Sequence, residues 1–211
     1  MAYHGSYYTH LDALCHMVYK DRLYNNFPTS IVTEAAGCTK LGMDNLQRGI
    51  ITRGVLIDLP RLKGVPYIEP GTPILPSDIE AWEKKVGVKV GAGDAILEYT
   101  GRWKARAKLG PFRNLAGLHM SVAPWLKSRD IAVVAGDGFS DIGVGTPIAG
   151  LGFPIHEFAI VALGAYLIDN ADLENLAETA ARLRRWEFML TIAPMAIETS
   201  TGAPVNPIAT F

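Results

Sequence analysis

Apolar and polar residues alternate along the chain in a pattern that predicts strands interleaved with helices. Five apolar runs, rich in β-branched residues and bounded by Gly, Pro or polar residues, predict buried strands at 49–58, 93–100, 131–136, 165–170 and 186–193. Helical patterns lie beside them at 78–86, 103–109, 120–128, 156–163 and 172–183. We expect Ser77 to cap the first of these helices, with Glu80 completing a capping box, and Gly164 to end the fourth. This order predicts an α/β layered domain, and the buried strands also fit a mixed sheet.

Two stretches of the chain are predicted to be loops. Residues 60–76 contain five prolines and are expected to be extended, and residues 143–154 are rich in glycine. Repeats, linkers and charge blocks are missing from the 211 residues, so we expect one domain spanning 1–211.

Composition narrows the classes of partner. Hydrophobic residues make up 49% of the chain and charged residues 19%, which is typical of a globular protein with an apolar core. Twenty basic and twenty-one acidic side chains leave a net charge of −1, without the excess of base that nucleic-acid binding requires. A small-molecule substrate, or a second copy of the chain, is the expected partner.

The cysteines and the apolar runs indicate the compartment. Cys15 and Cys38 do not make a disulfide framework, and we expect both to be reduced thiols. Residues 1–16 lack the apolar centre of a signal peptide, and the longest apolar run, 158–168, is shorter than the ~20 residues that span a bilayer. A cytoplasmic protein without a membrane segment is therefore predicted.

The densest cluster of potential metal ligands lies in residues 9–16. His10 and Asp12 share a face if the segment is a strand, and Asp12 and His16 share a side if it is helical. Imidazole and carboxylate ligands together suit Zn²⁺, Mn²⁺ or Fe²⁺. The alternative is that each residue only caps a turn near the terminus.

A second pair of ionisable residues lies far along the chain. His156 opens an apolar helix and Asp169 ends the apolar strand that follows, an unusual placement because unpaired buried charge is costly. Two interpretations stay open at this point, a functional pair or two residues that cap neighbouring turns. Cys15 and His16 do not form a nucleophilic pair in a strand, since adjacent side chains point to opposite faces, and Ser140 lacks the flanking glycines of a nucleophile elbow.

Five segments, in this order along the chain, resemble the metal-dependent "putative cyclase" family. They are THLDALCH, RGVLIDLPRLKGV, GDAILEYTGRW, GLHMSVAPWL and PIHEFAIVALGAYLIDNADLENL. The family includes bacterial kynurenine formamidase, isatin hydrolase and related amide, lactam and lactone hydrolases. The resemblance implies a swivelling β/β/α fold and a divalent metal, Zn²⁺ or Mn²⁺. It also implies a hydrolase that cleaves an amide or cyclic amide, with a lactone or ester hydrolase, or an inactive metal- or ligand-binding relative, as alternatives.

The same resemblance suggests roles for single residues. His10 and Asp12 match the central metal ligands of the family, and His16 matches a histidine that binds a second metal or acts as base. His156 matches the distal histidine at the head of a helix, as ligand or base. Asp169 falls one position from the place where relatives carry a Glu or Gln near the metal.

Two departures from the family pattern concern the number of metals and the completeness of the pocket. Relatives carry a further histidine four residues before the central one, where this chain has Ser6, and His4 would replace it only if the backbone bulged. The chain also begins close to the signature, so a short variant or a pocket wall from a neighbouring subunit is expected. Apolar aromatic residues support a homo-oligomer, namely Tyr7, Tyr8, Phe27 and Trp103.

Overall fold

The computed structural model describes residues 8–142 and 151–211, which are organised around an eight-stranded mixed sheet. The strands are β1 (His10–Asp12), β2 (Val32–Thr33), β3 (Gly37–Cys38), β4 (Ile50–Asp58), β5 (Pro73–Ile74), β6 (Ala95–Tyr99), β7 (Gly117–Leu118), β8 (Val133–Gly136), β9 (Tyr166–Asp169), β10 (Glu187–Ile192), β11 (Gly202–Pro204) and β12 (Ile208–Thr210). The α-helices are α1 (Leu59–Lys63), α2 (Pro76–Val86), α3 (Arg102–Leu109), α4 (Ala123–Ser128), α5 (Pro154–His156) and α6 (Glu174–Leu183). Helix α5 continues into a π-helical segment, Glu157–Leu163.

The large sheet has the strand order β11-β1-β9-β8-β6-β4-β10-β12. Strands β4, β6, β8 and β9 are parallel to one another, while β1 and β10 pair antiparallel with the outer members β9 and β4. The predicted α/β layered fold with a mixed sheet is therefore confirmed.

Two apolar cores cover the two faces of this sheet. On one face, Leu97 and Ile168 pack with α6 through Ala177 and Ala180. On the other face, Ile96 and Leu167 belong to the core that contains the side chains of α2, α4 and α5. The polar ends of several strands on this second face hold the site described below.

The five long strands predicted from the sequence are confirmed, but the predicted extended loop at 60–76 is wrong at both ends. Helix α1 begins at Leu59 and extends into this segment. Pro60 occupies the first turn, where a missing N–H is tolerated, and the Asp58 carboxylate accepts from the Arg61 N–H at 2.9 Å. Gly64, with φ 71°, ends this helix. Strand β5 also lies in the segment.

Helix α2 starts two residues earlier than predicted, at Pro76. The Asp78 carboxylate caps the first turn by accepting from the Leu75 N–H at 3.0 Å. The prediction that Ser77 and Glu80 form the cap is therefore wrong. Gly164, with φ 70°, ends the π-helical segment as predicted.

The expectation of two reduced thiols is also wrong, because Cys15 and Cys38 form a disulfide. A single loop brings them together. The Ala13 N–H donates to Thr201 O at 3.0 Å, and the Cys38 N–H donates to Thr199 O at 2.7 Å. Two segments that bind the same loop are thereby placed side by side, which the spacing of the cysteines does not reveal.

None of the helices in the described residues has the length and apolar character required to cross a membrane. The single domain, the cytoplasmic location and the homo-oligomer stay predictions. Of the aromatic residues that suggested an oligomer, Tyr8 is 65% exposed, Phe27 and Trp103 are half-buried, and Tyr7 lies outside the described residues.

Candidate metal centre

Strand β1 presents His10 and Asp12 on one face of the sheet while Leu11 fills the core on the other. Both polar side chains are buried, and His10 Nε2 lies 3.7 Å from Asp12 Oδ1. His10 Nδ1 is 2.9 Å from the Tyr8 carbonyl. Because a carbonyl only accepts, Nδ1 carries a proton, and Nε2 is the nitrogen that faces Asp12, as in metal-binding histidines whose other nitrogen donates to a carbonyl.

Asp169 joins this pair from the neighbouring strand. In the antiparallel register of β1 and β9, His10 lies directly opposite Asp169. The three buried residues His10, Asp12 and Asp169 each offer one ligand atom, and these atoms lie within 4.8 Å of one another. That spacing fits a single divalent ion shared by the three side chains.

His156 completes the group from the helix side. Its Nε2 lies 3.1 Å from Asp169 Oδ2 and 3.6 Å from Asp12 Oδ2. His16 Nε2 lies 3.8 Å from Asp12 Oδ2. The His16 side chain is 26% exposed, which makes it the least buried of the five side chains at the site. All five residues predicted for the site are thus brought together around Asp12.

Sequence reasoning missed the residue that orients His156. The Asp141 carboxylate accepts from the Ile155 N–H at 2.7 Å and from the His156 N–H at 3.1 Å, and His156 Nδ1 donates to it at 2.6 Å. Asp141 therefore caps α5 and turns the histidine ring so that Nε2 faces Asp169. Residues 142–154 separate the partners, and no spacing signal connects them.

Glu98 was missed as well, although an acidic residue inside the apolar run of β6 is a visible departure from pattern. It is 2% exposed and lies on the same face of the sheet as Asp169. Burial, followed by the negative charges of Asp137, Asp141 and Asp169, raises the pKa of Glu98 well above its usual value.

The buried charged groups of the site shift one another's pKa values. Burial lowers the pKa of His156, but the carboxylates of Asp169 and Asp141 outweigh this effect and raise that pKa well above the ordinary histidine value. Burial likewise raises the pKa of Asp169, an effect that His156 partly opposes. Because burying unpaired negative charge is costly, the buried carboxylates of this site require positive charge nearby.

The donor set fits a divalent metal ion. Asp169 Oδ1 is buried and has no hydrogen-bond partner among residues 8–142 and 151–211, as expected of an oxygen whose partner is an ion. Mixed imidazole and carboxylate donors suit Zn²⁺ and Mn²⁺. The two residues that bear on the metal count, His4 and Ser6, lie outside the described residues.

Comparison with known proteins shows the family of the chain. The family model described as "Putative cyclase" matches residues 1–140, and the chain belongs to this family. Among curated proteins, none matches the chain in sequence.

Solved structures share the fold. A structure described as a novel cyclase is 32% identical, with a TM-score of 0.87, over 96% of this chain and 69% of that chain. Isatin hydrolase A from Ralstonia solanacearum is 19% identical, with a TM-score of 0.67, over 94% and 69%. A "predicted metal-dependent hydrolase" from Bacillus stearothermophilus is 18% identical, with a TM-score of 0.57, over 96% and 75%.

Proposed function

We propose that the protein is a metal-dependent hydrolase that cleaves the C–N bond of an amide or cyclic amide in a small molecule. The observation that carries this proposal is the buried triad of His10, Asp12 and Asp169, with His156 against it. Membership of the cyclase family supports it, as do the names of two proteins that share the fold, one a hydrolase of the cyclic amide isatin and one a metal-dependent hydrolase.

Four residues are suited to hold the ion, namely His10, Asp12, His156 and Asp169. When bound, a divalent ion lowers the pKa of its water toward about 7 and polarises a carbonyl group. Asp12 contributes negative charge at the centre of the group, since the Nε2 atoms of His10, His16 and His156 lie 3.6–3.8 Å from its carboxylate oxygens.

We assign proton transfer to His16. His156 is engaged by carboxylates at both ring nitrogens, whereas the His16 side chain is 26% exposed and sits at the more open side of the group. An imidazole works near its natural pKa at neutral pH. His16 would take a proton from the attacking water and return it to the leaving nitrogen, so that the C–N bond breaks and the proton is conserved.

The proposal is tested with His10→Ala and Asp12→Ala, each measured for bound metal and for hydrolysis of formanilide, an aryl formamide. Both variants should lose the ion and lose activity by at least about a hundredfold, because a ligand and its orientation disappear together. The matched control is His119→Ala, since the side chain of this histidine bonds the neighbouring Ser121, away from the metal-centre residues named above. Hydrolysis at the parental rate by protein stripped of metal would end the proposal.

A further inference from the structure

A positively charged side chain, Arg102, is buried at the carboxyl ends of the central strands. It is the first residue of α3, follows β6 by three residues and is 5% exposed. Its Nη1 atom donates to the Asp137 carbonyl at 3.0 Å and to Asn170 Oδ1. Asp137 directly follows β8, and Asn170 directly follows β9. One guanidinium therefore joins the ends of three neighbouring strands.

The position of Arg102 is itself fixed by several contacts. Its backbone N–H donates to Asp137 Oδ2 at 3.0 Å, and its Cζ atom lies 4.7 Å from the ring centre of Trp103 and 5.8 Å from that of Phe139. The Trp103 ring donates from Nε1 to Ala171 O at 3.3 Å. A side chain ordered in this way during folding is able to hold a neighbouring segment in place.

The segment that Arg102 holds contains a residue of the triad, because Asn170 directly follows Asp169. Asn170 has left-handed backbone geometry, with φ 55°, a conformation that asparagine tolerates better than most residues. Its carbonyl accepts from the Thr9 hydroxyl at 2.9 Å, and Thr9 directly precedes His10. Asn170 thus connects Arg102 to both strands that carry the triad, β9 through Asp169 and β1 through His10.

The charge of Arg102 and its hydrogen bonds have opposite effects on a cation. Burial lowers the pKa of Arg102, and the negative charges of Asp137 and Asp169 oppose that shift. A guanidinium stays charged in proteins, so its charge alone would repel a metal ion held by Asp169. Its hydrogen bonds favour the ion, because a ligand that keeps its orientation binds a metal more tightly. We expect orientation to dominate, since Asp137 partly balances the charge.

We propose that Arg102 is a positioning residue of the metal centre, which acts through Asn170 to set the position of the Asp169 carboxylate. This inference rests on the metal centre of the proposed function. It adds a residue that the family resemblance and the spacing of the ligands do not indicate, because Arg102 lies in a different part of the chain from the triad and bonds the residue beside a ligand.

The test measures Zn²⁺ and Mn²⁺ affinity by calorimetric titration of Arg102→Met, Asn170→Gly and the double variant. Methionine keeps the length of the side chain without its hydrogen bonds, and glycine accepts the positive φ of residue 170. Each single variant should bind the ions about 10–100-fold more weakly than the parent. The double variant should bind about as weakly as the single variants, because both substitutions break the same connection.

The matched control is Arg129→Met. Arg129 also donates to a backbone carbonyl and to a second side chain, those of Val90 and Glu83, and its Cζ lies 5.0 Å from the ring centre of Trp125. Urea unfolding of the metal-free proteins shows that each variant is folded and gives its loss of stability. Arg129→Met should lose stability and keep the parental metal affinity, which separates positioning from a general structural role.

Several outcomes overturn the inference. They are parental or tighter metal binding by Arg102→Met, an equal loss of affinity in Arg129→Met, and losses that multiply in the double variant. If Arg102→Met does not fold, parental affinity in Asn170→Gly overturns it alone. Formanilide hydrolysis by the metal-loaded parent is followed separately. Activity without the predicted affinity pattern leaves the proposed function standing, and the pattern without activity supports the positioning role and contradicts the proposed function.

Discussion

His156 shows how a single side chain acquires a defined orientation. Asp141 binds Nδ1 of this histidine and the backbone N–H of the same residue, so the ring and the start of α5 are fixed by one carboxylate. The Nε2 atom is then directed at Asp169 and Asp12. Carboxylates behind metal-binding histidines set the tautomer and raise the basicity of the ligand nitrogen.

Replacing Asp141 with Asn should weaken Zn²⁺ or Mn²⁺ binding by about 10–100-fold, because the amide no longer enforces the Nδ1–H tautomer. Calorimetric titration with each ion measures the affinity, and ¹⁵N NMR of the metal-free protein reports the tautomer of His156. The matched control is Asp58→Asn, which alters a buried carboxylate that caps α1 instead. An equal loss of affinity in both variants would contradict the positioning role.

Asp137 provides a pH-dependent prediction. Burial raises the pKa of this carboxyl to about 6 from 3.8, although hydrogen bonds from Thr100 and Arg102 oppose the shift. The folded protein therefore binds this proton more tightly than the unfolded chain does. The contribution of Asp137 to the free energy of unfolding is greatest below about pH 4. It falls by about 3 kcal/mol in total as the pH rises to about 6.

Asp137→Asn removes the titration, so the free energy of unfolding of the variant should decline less between pH 4 and 6 than that of the parent. Urea unfolding at several pH values gives this difference directly. The variant should also be less stable at pH 4, because an amide nitrogen cannot accept from the Thr100 and Arg102 N–H groups. Parallel pH curves for the two proteins would refute the assignment.

Among the secondary-structure elements, the sequence predicted the longer strands but not the short ones. Strands β4, β6, β8, β9 and β10 carry enough apolar residues to show their period, whereas β11 and β12 have three residues each. Helix α1 was not predicted because Pro60 was interpreted as a sign of a loop. Proline is also accepted in the first turn of a helix, which is where Pro60 lies. Local patterns predict an element only when they extend over several residues.

The residues of the candidate site also fall into predictable and unpredictable ones. His10, Asp12 and His16 were predictable because one strand and the turn after it place them, and their spacing is local. Asp141 and Glu98 reach the site through the pairing of distant strands and the packing of α5. Such contacts depend on tertiary structure and leave no spacing signal in the chain.

The disulfide ties the turn after β1 to strand β3, across a separation of 23 residues. Closing a loop of this size restricts the unfolded chain and contributes about 3 kcal/mol. Urea unfolding of Cys38→Ser, or of the parent under reduction, should show a loss of this size. Thiol titration of the unfolded, unreduced protein should detect no free thiol, since both cysteines are bonded, and two thiols would contradict the bond.

For the whole molecule, the proposed metal site would link metal binding to folding, because its ligands come from residues 10–12 and from residues 156–169. An ion present at a hundred times its Kd stabilises the folded state by about 2.7 kcal/mol. Adding a chelator should therefore lower Tm by about 5–10 °C in a domain of this size, measured by calorimetry. Asp12→Ala, which lacks a ligand, should show no shift, and a parent indifferent to chelation would argue against a formed metal site.

The insertion of β1 between β9 and β11 has a consequence for biosynthesis. His10 pairs with Asp169 on one side and with Pro204 on the other, so β1 has no neighbours in the sheet until β9 and β11 have been synthesised. During translation, the β1 segment therefore stays unpaired while the central strands of the sheet form. Pairings so distant in sequence raise contact order and slow folding. The candidate metal centre is consequently expected to form only after β9 has been synthesised, when His10 and Asp12 first meet Asp169.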